Sequence, residues 1–262
     1  MTNKYHENKA SHSLNRLLSQ IDQLQVKLNN LRDIDQTSIE KALDIEYTYD
    51  SNRIEGNTLS LRETDLVIHK GLTIGGKPLV EHLEAINHYE AVGLIRDMAK
   101  QDALFNRSVL LTLHALVLRG IDKDYAGRFR EFAVMISGSR HTPPQPWLVN
   151  GLMDEYFQFY QKNKQTLHPV ILAAEMHERL VTIHPFVDGN GRTARLIMNL
   201  VLLQYGYPIA IIQGDTESRL AYYNALERCN IENDKDEFHL LIAHNILNVL
   251  QKRLRLIKRN SQ

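Results

Sequence analysis

The sequence has almost no cysteine and no long apolar run. Cys229 is the single cysteine in 262 residues, so an internal disulfide cannot form and a reducing compartment is favoured. No stretch of about eighteen apolar residues occurs, and residues 1–13 lack the apolar core of a signal peptide. These absences argue against a disulfide-stapled secreted fold and a membrane span, and they predict a cytoplasmic protein.

An excess of charge of one sign is also missing. Lys and Arg together number 31, as do Asp and Glu, so the formal net charge is zero. A neutral chain argues against a broad nucleic-acid or anionic-membrane footprint. The hydrophobic share of 43% is enough to bury a core, and the length fits one large domain or two small ones. We expect a globular protein without nucleic-acid or membrane partners.

One loop contains most of the chemically useful residues. Residues 184–195 read HPFVDGNGRTAR between two apolar runs, a pattern that predicts helix, tight loop, helix. The loop would then lie at a helix N-terminus, where free N–H groups and the macrodipole favour anions. Gly189 and Gly191, on either side of Asn190, would let the backbone approach a phosphate closely.

The side chains of this loop indicate group transfer on a nucleotide. Asp188 offers a hard oxygen ligand for magnesium held against phosphates. Arg192 and Arg195 lie on one helical face as fixed cations, and His184 can accept a proton near neutral pH. A metal hydrolase with His184 and Asp188 as ligands is disfavoured, because a third ligand at suitable spacing is missing.

The loop resembles the motif HxFx(D/E)GNGRxxR of the Fic family, which residues 184–195 match at every specified position. The resemblance implies an all-α Fic-type helical bundle with a small β-hairpin flap and an N-terminal helical extension. It also implies a protein adenylyltransferase, which moves AMP from Mg-ATP to a Ser, Thr or Tyr hydroxyl of a target protein. Relatives that act as kinases usually carry a lysine in this loop, and that departure is absent.

The resemblance assigns a role to each motif residue. His184 would deprotonate the target hydroxyl, Asp188 would hold Mg²⁺, and Phe186 would anchor the loop in the core. The phosphates of ATP would be bound by Gly189, Asn190, Gly191, Arg192 and Arg195.

A second family pattern lies before the motif. Ser51, Glu55 and Gly56 match (S/T)xxxE(G/N), the inhibitory helix of many Fic proteins. By resemblance, Glu55 pairs with Arg195 and blocks productive placement of the γ-phosphate, so the predicted default state is inactive. Glu55 would otherwise lie unfavourably at the negative end of its helix, where it needs a cationic partner.

The remaining N-terminal pattern is helical. Apolar residues alternate three and four apart from Leu14 to Leu31, which predicts a coiled-coil-like seam that packs on a partner chain or on the body of its own chain. Residues 1–13 are polar and predicted to be disordered. Capping boxes at Thr37 and Ser60 predict two further helix starts. We therefore divide the chain into a tail and seam helix (1–36), an inhibitory segment (37–60) and a catalytic domain (61–262).

Two further elements are predicted to contact substrates. Residues 133–136, a turn at 137–139 and a return at 140–142 predict a hairpin, whose exposed edge can capture an extended peptide. The resemblance makes it a flap that docks the protein target. Its docking residues would be Val134, Met135, Ile136, Ser137 and Gly138. By resemblance, Tyr223 and Asn230, on a later helix, would contact the adenine.

Alternative functions remain open at this stage. The same site could run in reverse as a Glu55-dependent de-AMPylase, or both activities could coexist in one bifunctional enzyme. A non-catalytic helical binding module, with the seam as recruiting surface, is a remote alternative. Self-modification and homo-oligomer formation are also left open, as are the target and the nucleotide preference.

Overall fold

The computed structural model describes residues 2–31, 35–101 and 104–260. The described residues form ten α-helices and a short 3₁₀ turn at Pro146–Leu148. The helices are α1 (Thr2–Asn29), α2 (Thr37–Ile54), α3 (Leu61–Lys70), α4 (Leu79–Lys100), α5 (Arg107–Val117), α6 (Val149–Asn163), α7 (Pro169–Ile183), α8 (Asn190–Gln204), α9 (Thr216–Glu232) and α10 (Asp236–Asn260). The predicted all-α fold is confirmed.

Helix α8 is the centre of the bundle. Its residues from Arg192 to Leu202 are all buried, because neighbouring helices cover every face. Helices α7, α4 and α5 pack against it, and α2 contacts it as well. From Leu196 to Leu203 the helix is apolar except for Asn199, and a helix with apolar residues on every side requires such surroundings. The loop between α7 and α8 is thereby attached to the buried centre of the bundle.

The leucine seam of α1 packs on its own chain. Leu17, Ile21 and Leu28 are buried in the main core, and α1 lies against α10. Asp22 accepts a hydrogen bond from the Tyr207 hydroxyl at 2.6 Å, which ties α1 to the segment after α8. Of the two predicted uses of the seam, the structure therefore shows packing on the body of the chain.

The predicted disorder of residues 1–13 is wrong for residues 2–13, which continue α1. Propagation of a helix adds one hydrogen bond for each residue fixed, so a helix nucleated by the packed seam can extend into a polar stretch. Met1 lies outside the described residues.

The two predicted capping boxes differ in outcome. At Ser60 the box is present: the Ser60 hydroxyl accepts from the Glu63 N–H, and the Glu63 carboxylate accepts from the Ser60 N–H. At Thr37 it is not formed, and the helix begins after Gln36 without a side-chain cap. The reason is Asp35, whose carboxylate accepts both the N–H and the hydroxyl of Thr37.

The predicted flap hairpin is not formed as a strand pair. Residues 133–142 form an extended loop with a turn closed by the Ser139 N–H donating to the Ile136 carbonyl at 3.2 Å. The loop is fixed by side chains instead of a ladder. Arg140 pairs with Glu227 of α9, and the His141 ring donates to the Thr182 carbonyl of α7. The returning arm is therefore bound to two helices rather than to residues 133–136.

None of the helices within the described ranges has the length and apolarity that a bilayer span needs.

Candidate active site

The loop of residues 184–189 joins α7 to α8 through two left-handed residues. His184 has φ 49° and ends α7, with its N–H donating to the Leu180 carbonyl at 2.9 Å. Gly189 has φ 76° and precedes the first turn of α8. Left-handed backbone disfavours a residue with a Cβ, so His184 is held there by its surroundings. The reversal places His184 beside the N-terminus of α8.

The loop is braced from inside by Asn190. Its side-chain carbonyl accepts from the Phe186 N–H at 3.0 Å, and its amide donates to the Phe186 carbonyl at 2.9 Å. Both residues are buried. The side chain of Asn190 is thus occupied by the loop itself, and a phosphate at this position would meet the backbone of residues 189–191.

His114 of α5 supports the same loop from below. Its ring stacks on Phe186 with centroids 3.6 Å apart, and its Nδ1 accepts from the Gly127 N–H at 2.9 Å. Nδ1 is then the unprotonated nitrogen, so Nε2 donates to the Asp188 carbonyl at 2.9 Å. Burial lowers the pKa of His114 to about 4, which keeps the ring neutral. The sequence does not predict this contact, because His114 lies 74 positions before Asp188.

His184 itself is held in a form that can accept a proton. Burial lowers its pKa to about 4, and the nearby cation of Arg130 acts in the same direction. The ring is therefore neutral at physiological pH, as a general base must be. The backbone carbonyl of His184 accepts a hydrogen bond from Arg130 Nε at 2.8 Å.

Arg130 also connects the loop of residues 184–189 to the flap, residues 133–142. Its two terminal nitrogens donate to the carbonyls of Phe132 at 3.1 Å and Pro144 at 2.6 Å, which lie at the two ends of the flap loop. Arg130 is 2% exposed, and burial lowers its pKa. One buried cation thus fixes the position of the flap relative to His184, a role that its sequence position did not reveal.

Arg192 points between two carboxylates. Its Nη1 donates to Glu84 of α4 at 2.8 Å and its Nη2 to Asp188 at 3.0 Å. Asp188 is largely exposed, whereas the side chains of Arg192 and Glu84 are mostly buried. Asp188 therefore faces the open side of the loop, where a ligand would enter.

Arg195 is almost fully buried and is held by the end of α2. Its Nε donates to the Ser51 hydroxyl at 2.9 Å, and its Nη2 donates to the Ser51 carbonyl at 2.8 Å and to Glu55 Oε1 at 2.7 Å. Tyr222 of α9 lies 3.4 Å from Nη1. The structure thus brings together Ser51, Glu55 and Arg195, which are far apart in sequence.

The Glu55 carboxylate also lies directly on the phosphate loop. A Cβ placed on Gly191 would be 2.3 Å from Glu55 Oε1. Gly56, which follows with φ 103°, turns the chain away after α2. The carboxylate therefore occupies space above the backbone of residue 191, on the face that the helix dipole makes attractive to anions.

The two residues predicted to contact adenine, Tyr223 and Asn230, differ in their exposure and in their hydrogen-bond partners. Tyr223 is 41% exposed, and its hydroxyl donates to the Ile54 carbonyl at 3.0 Å. Asn230 lies two turns further along α9, where it accepts from the Thr182 hydroxyl and donates to the Leu226 carbonyl. The ring of Tyr223 is partly exposed, with the Arg219 guanidinium over it at 5.8 Å from the ring centroid, whereas the amide of Asn230 already has two partners.

The predicted flap residues project outward to different degrees. Met135 is 93% exposed, Ser137 and Gly138 are exposed, and Val134 and Ile136 are half-buried. The alternation of inward and outward side chains is that of an extended segment. The flap therefore has an open side beside the active-site loop, although no strand is paired there in the described part of the chain.

A metal at this site would rest on few protein ligands. The described residues contain no group of three or more His, Cys, Asp or Glu side chains arranged to hold a metal. Asp188 is a single exposed carboxylate at the entrance of the loop. This donor set fits Mg²⁺, which is commonly held by one or two carboxylates together with substrate phosphates.

Comparison with known proteins gives consistent similarities. Residues 104–202 match the Fic/DOC family. The chain is 36% identical over 228 residues to protein adenylyltransferase Fic of Aedes aegypti, a match covering 85% of this chain and 44% of that protein. It is 38% identical over 199 residues to the protein of the same name from Drosophila melanogaster, covering 76% of this chain and 39% of the other. The chain thus spans less than half the length of these curated relatives.

Solved structures agree in fold. A Fic-1 fragment from C. elegans superposes with a TM-score of 0.85 at 27% identity, covering 97% of this chain and 76% of the other. A Fic domain-containing signalling protein from Bacteroides thetaiotaomicron superposes with a TM-score of 0.83 at 28% identity, covering 91% and 97%.

Proposed function

The chain is a member of the Fic/DOC family through residues 104–202, and from that premise we propose that it is a protein adenylyltransferase. It transfers AMP from ATP to a hydroxyl group of a protein. The observation that carries the proposal is the neutral, half-buried His184 at the end of α7, in the same loop that leads into the N-terminus of α8 with Arg192 and Arg195. The names of the curated relatives support the same activity.

The reaction follows from these groups. The unprotonated nitrogen of His184 takes the proton of the target hydroxyl, whose oxygen then forms a bond to the α-phosphorus of ATP. The bond from the α-phosphorus to its bridging oxygen breaks, and pyrophosphate leaves with the electron pair. Binding and orientation of the two reactants supply most of the rate enhancement.

The phosphates are held by the start of α8. Backbone N–H groups of residues 189–191 face the anion, and Arg192 and Arg195 supply fixed positive charge. Asp188 is the residue that would hold Mg²⁺, which when bound neutralises charge on the phosphates. The exposed position of Asp188 beside Arg192 supports this assignment.

The segment of residues 37–60 restrains the catalytic domain of residues 61–262. Glu55 neutralises Arg195 across 2.7 Å and lies over Gly191, so it occupies the place of an incoming phosphate oxygen. Ser51 holds the same guanidinium, and Gly56 ends the helix. The wild-type protein is therefore inactive until α2 or its glutamate moves.

The flap and α9 bind the two substrates. An extended segment of the target lies along residues 134–138, where the exposed Met135 offers an apolar contact. The half-open ring of Tyr223 stacks on adenine, with Asn230 beside it. Hydroxyl-bearing residues of a second copy can serve as target, which gives self-modification.

The experiment uses ATP labelled in the α- or the γ-phosphate, with Mg²⁺ and a lysate as the source of targets. The Glu55→Gly variant is expected to incorporate α-label into protein and no γ-label. Addition of His184→Ala to that variant is expected to remove the signal while ADP binding persists. Incorporation of γ-label would overturn the proposal in favour of phosphoryl transfer, and α-labelling by the double variant would remove the role of His184.

The position of Glu55 also favours a second activity, hydrolytic release of AMP from a modified protein. Its carboxylate lies at the phosphate loop with its side chain one-third exposed, where it could orient a water molecule. Wild-type protein would then release AMP from a labelled target faster than Glu55→Gly. Equal release by the two proteins would exclude this activity.

A further inference from the structure

The carboxylate of Glu84, in α4, contacts both Arg192 and the segment that follows Glu55. Its Oε1 accepts from Arg192 Nη1 at 2.8 Å, and its Oε2 accepts from Asn57 Nδ2 at 2.9 Å. Asn57 follows Glu55 by two residues and is buried. One carboxylate therefore connects the phosphate-binding side of α8 with the turn between α2 and α3.

The charge balance makes this contact strong. The Arg192 side chain is only 3% exposed and that of Glu84 17%, so their attraction is poorly screened by water. The other carboxylate on Arg192 belongs to Asp188, which is 61% exposed and faces the ligand side. Removal of a buried counter-charge leaves the partner uncompensated. Glu84 is therefore the group that fixes the guanidinium from the protein side.

Asn57 is in turn fixed to the end of α2. Its N–H donates to the Asn52 carbonyl at 3.1 Å, within the last turn of that helix. Its side-chain amide also donates to the Glu81 carbonyl at 3.0 Å. A displacement of the last turn of α2, which frees Arg195, therefore also pulls on the amide that holds Glu84.

We propose that Glu84 is a positioning residue that sets the Arg192 guanidinium for phosphate binding and couples it, through Asn57, to the end of α2. The two arginines of the site are then both governed by one element: Arg195 directly through Glu55, and Arg192 indirectly through Asn57 and Glu84. This inference rests on the proposed function, because it takes the loop of residues 184–195 as a phosphate site.

Binding of ADP, measured by calorimetry, tests the proposal without any transfer step. The parent is Glu55→Gly, in which the site is open. Glu84→Gln retains size but removes the charge, and it is expected to raise the Kd for ADP about tenfold. Glu81→Gln is the matched control: Glu81 lies one turn away on α4 and binds Thr58 instead of Arg192. It is expected to leave the Kd within about twofold.

The coupling is tested by Asn57→Ala, which keeps the Glu84–Arg192 pair but removes the amide. A rise in Kd of about threefold is expected, and Asn57→Ala should add nothing once Glu84 is Gln, because both changes act through one contact. Independent, multiplicative effects would overturn the coupling. A Glu84→Gln variant that binds ADP as tightly as its parent would overturn the positioning role, and if that variant does not fold, Asn57→Ala alone decides.

The outcomes separate this inference from the function on which it rests. Loss of all α-label transfer with the expected ADP pattern intact would defeat the transferase and leave the Glu84 contact standing. Normal transfer with an unaltered Kd in Glu84→Gln would defeat the Glu84 contact alone. Failure of the Glu55→Gly parent to bind ADP at all would defeat both.

Discussion

At the scale of single residues, the local motif was predictable and its supports were not. His184, Asp188, Arg192 and Arg195 lie within one helix–loop–helix, where spacing alone determines which side chains meet. The supporting side chains come from elsewhere in the chain: Glu84 is separated from Arg192 by 108 positions, His114 from Asp188 by 74 and Arg130 from His184 by 54. A local sequence pattern cannot predict contacts between residues so far apart in the chain, because these contacts arise only from tertiary packing.

The low pKa of His184 gives a pH dependence at the residue scale. Burial holds that pKa to about 4, so the base is already neutral above about pH 5 and gains nothing from a further rise in pH. The rate of label transfer by Glu55→Gly is expected to show no change due to His184 between pH 6 and pH 8. The rate should fall as the pH approaches 4, because His184 then becomes protonated. An inflection near pH 6.5 in the transfer rate, absent from ADP binding, would contradict the lowered pKa of His184. ADP binding over the same range is the control.

The loop brace gives a stability prediction. Asn190→Ala leaves the buried N–H and carbonyl of Phe186 without their partners, so it is expected to lower the free energy of unfolding by at least about 2 kcal/mol. Urea unfolding followed by circular dichroism measures the change. Asn248→Ala, at an exposed position of α10, is the control and should change stability by less than about 0.5 kcal/mol. Equal values would mean that the brace contributes little.

At the scale of elements, helix positions followed from apolar spacing, while several ends were decided by neighbours. Ser60 begins α3 as its capping box predicts, but Asp35 replaces the predicted box at Thr37. The flap pattern predicted a hairpin because a short apolar run at 133–136, a turn at 137–139 and a return at 140–142 follow one another. Contacts of Arg130, Arg140 and His141 with carbonyls and side chains of other elements satisfy the loop instead of a ladder.

The contact between α2 and the phosphate loop gives an element-scale prediction. In Gly191→Ala the new methyl group would lie 2.3 Å from Glu55 Oε1, so the Glu55 carboxylate must move and its pairing with Arg195 is disturbed. The loss of stability should be larger in wild type than in Glu55→Gly, with a coupling energy of about 1–2 kcal/mol in thermal unfolding. The control is Gly93→Ala in α4, where a Cβ meets nothing within 4 Å. Identical losses in both backgrounds would contradict the position of Glu55 over the loop.

At the scale of the whole molecule, α1, α2 and α10 enclose the bundle built on α8, and the apolar content predicted such a core. The sequence left open whether the α1 seam packs on its own chain or on a second one. Whether the seam packs within the chain depends on the surface of α10, and the spacing of apolar residues in α1 carries no information about that surface. Ile21 of the seam is buried in the core, so the seam packs within its own chain.

Acid stability is a property of the whole fold. Burial depresses the pKa of three core histidines, His88, His114 and His177, and of the half-buried His184. These histidines bind protons near pH 6.5 in the unfolded chain. In the native state His114 and His184 do so only near pH 4, and the pKa values of His88 and His177 also lie below the usual range, so stability is full above pH 6.5 and declines below it. Each group contributes up to about 1.4 kcal/mol per pH unit.

Urea unfolding between pH 8 and 4.5 measures this loss. His88→Gln removes one titrating group and should flatten the decline, whereas His244→Gln, at an exposed position, should leave the slope unchanged. A free energy of unfolding that stays constant down to pH 5 would contradict the burial of neutral histidines as the cause.

The central claim is that Glu55 keeps an intact adenylyltransferase inactive by occupying Arg195. The most direct measurement is the initial rate of label transfer from α-labelled Mg-ATP by wild type and Glu55→Gly side by side, with His184→Ala as the blank. At least a tenfold higher rate in Glu55→Gly is predicted, because Arg195 and the face above Gly191 become available to phosphate. Equal rates in the two proteins, with ATP bound by both, would contradict the account.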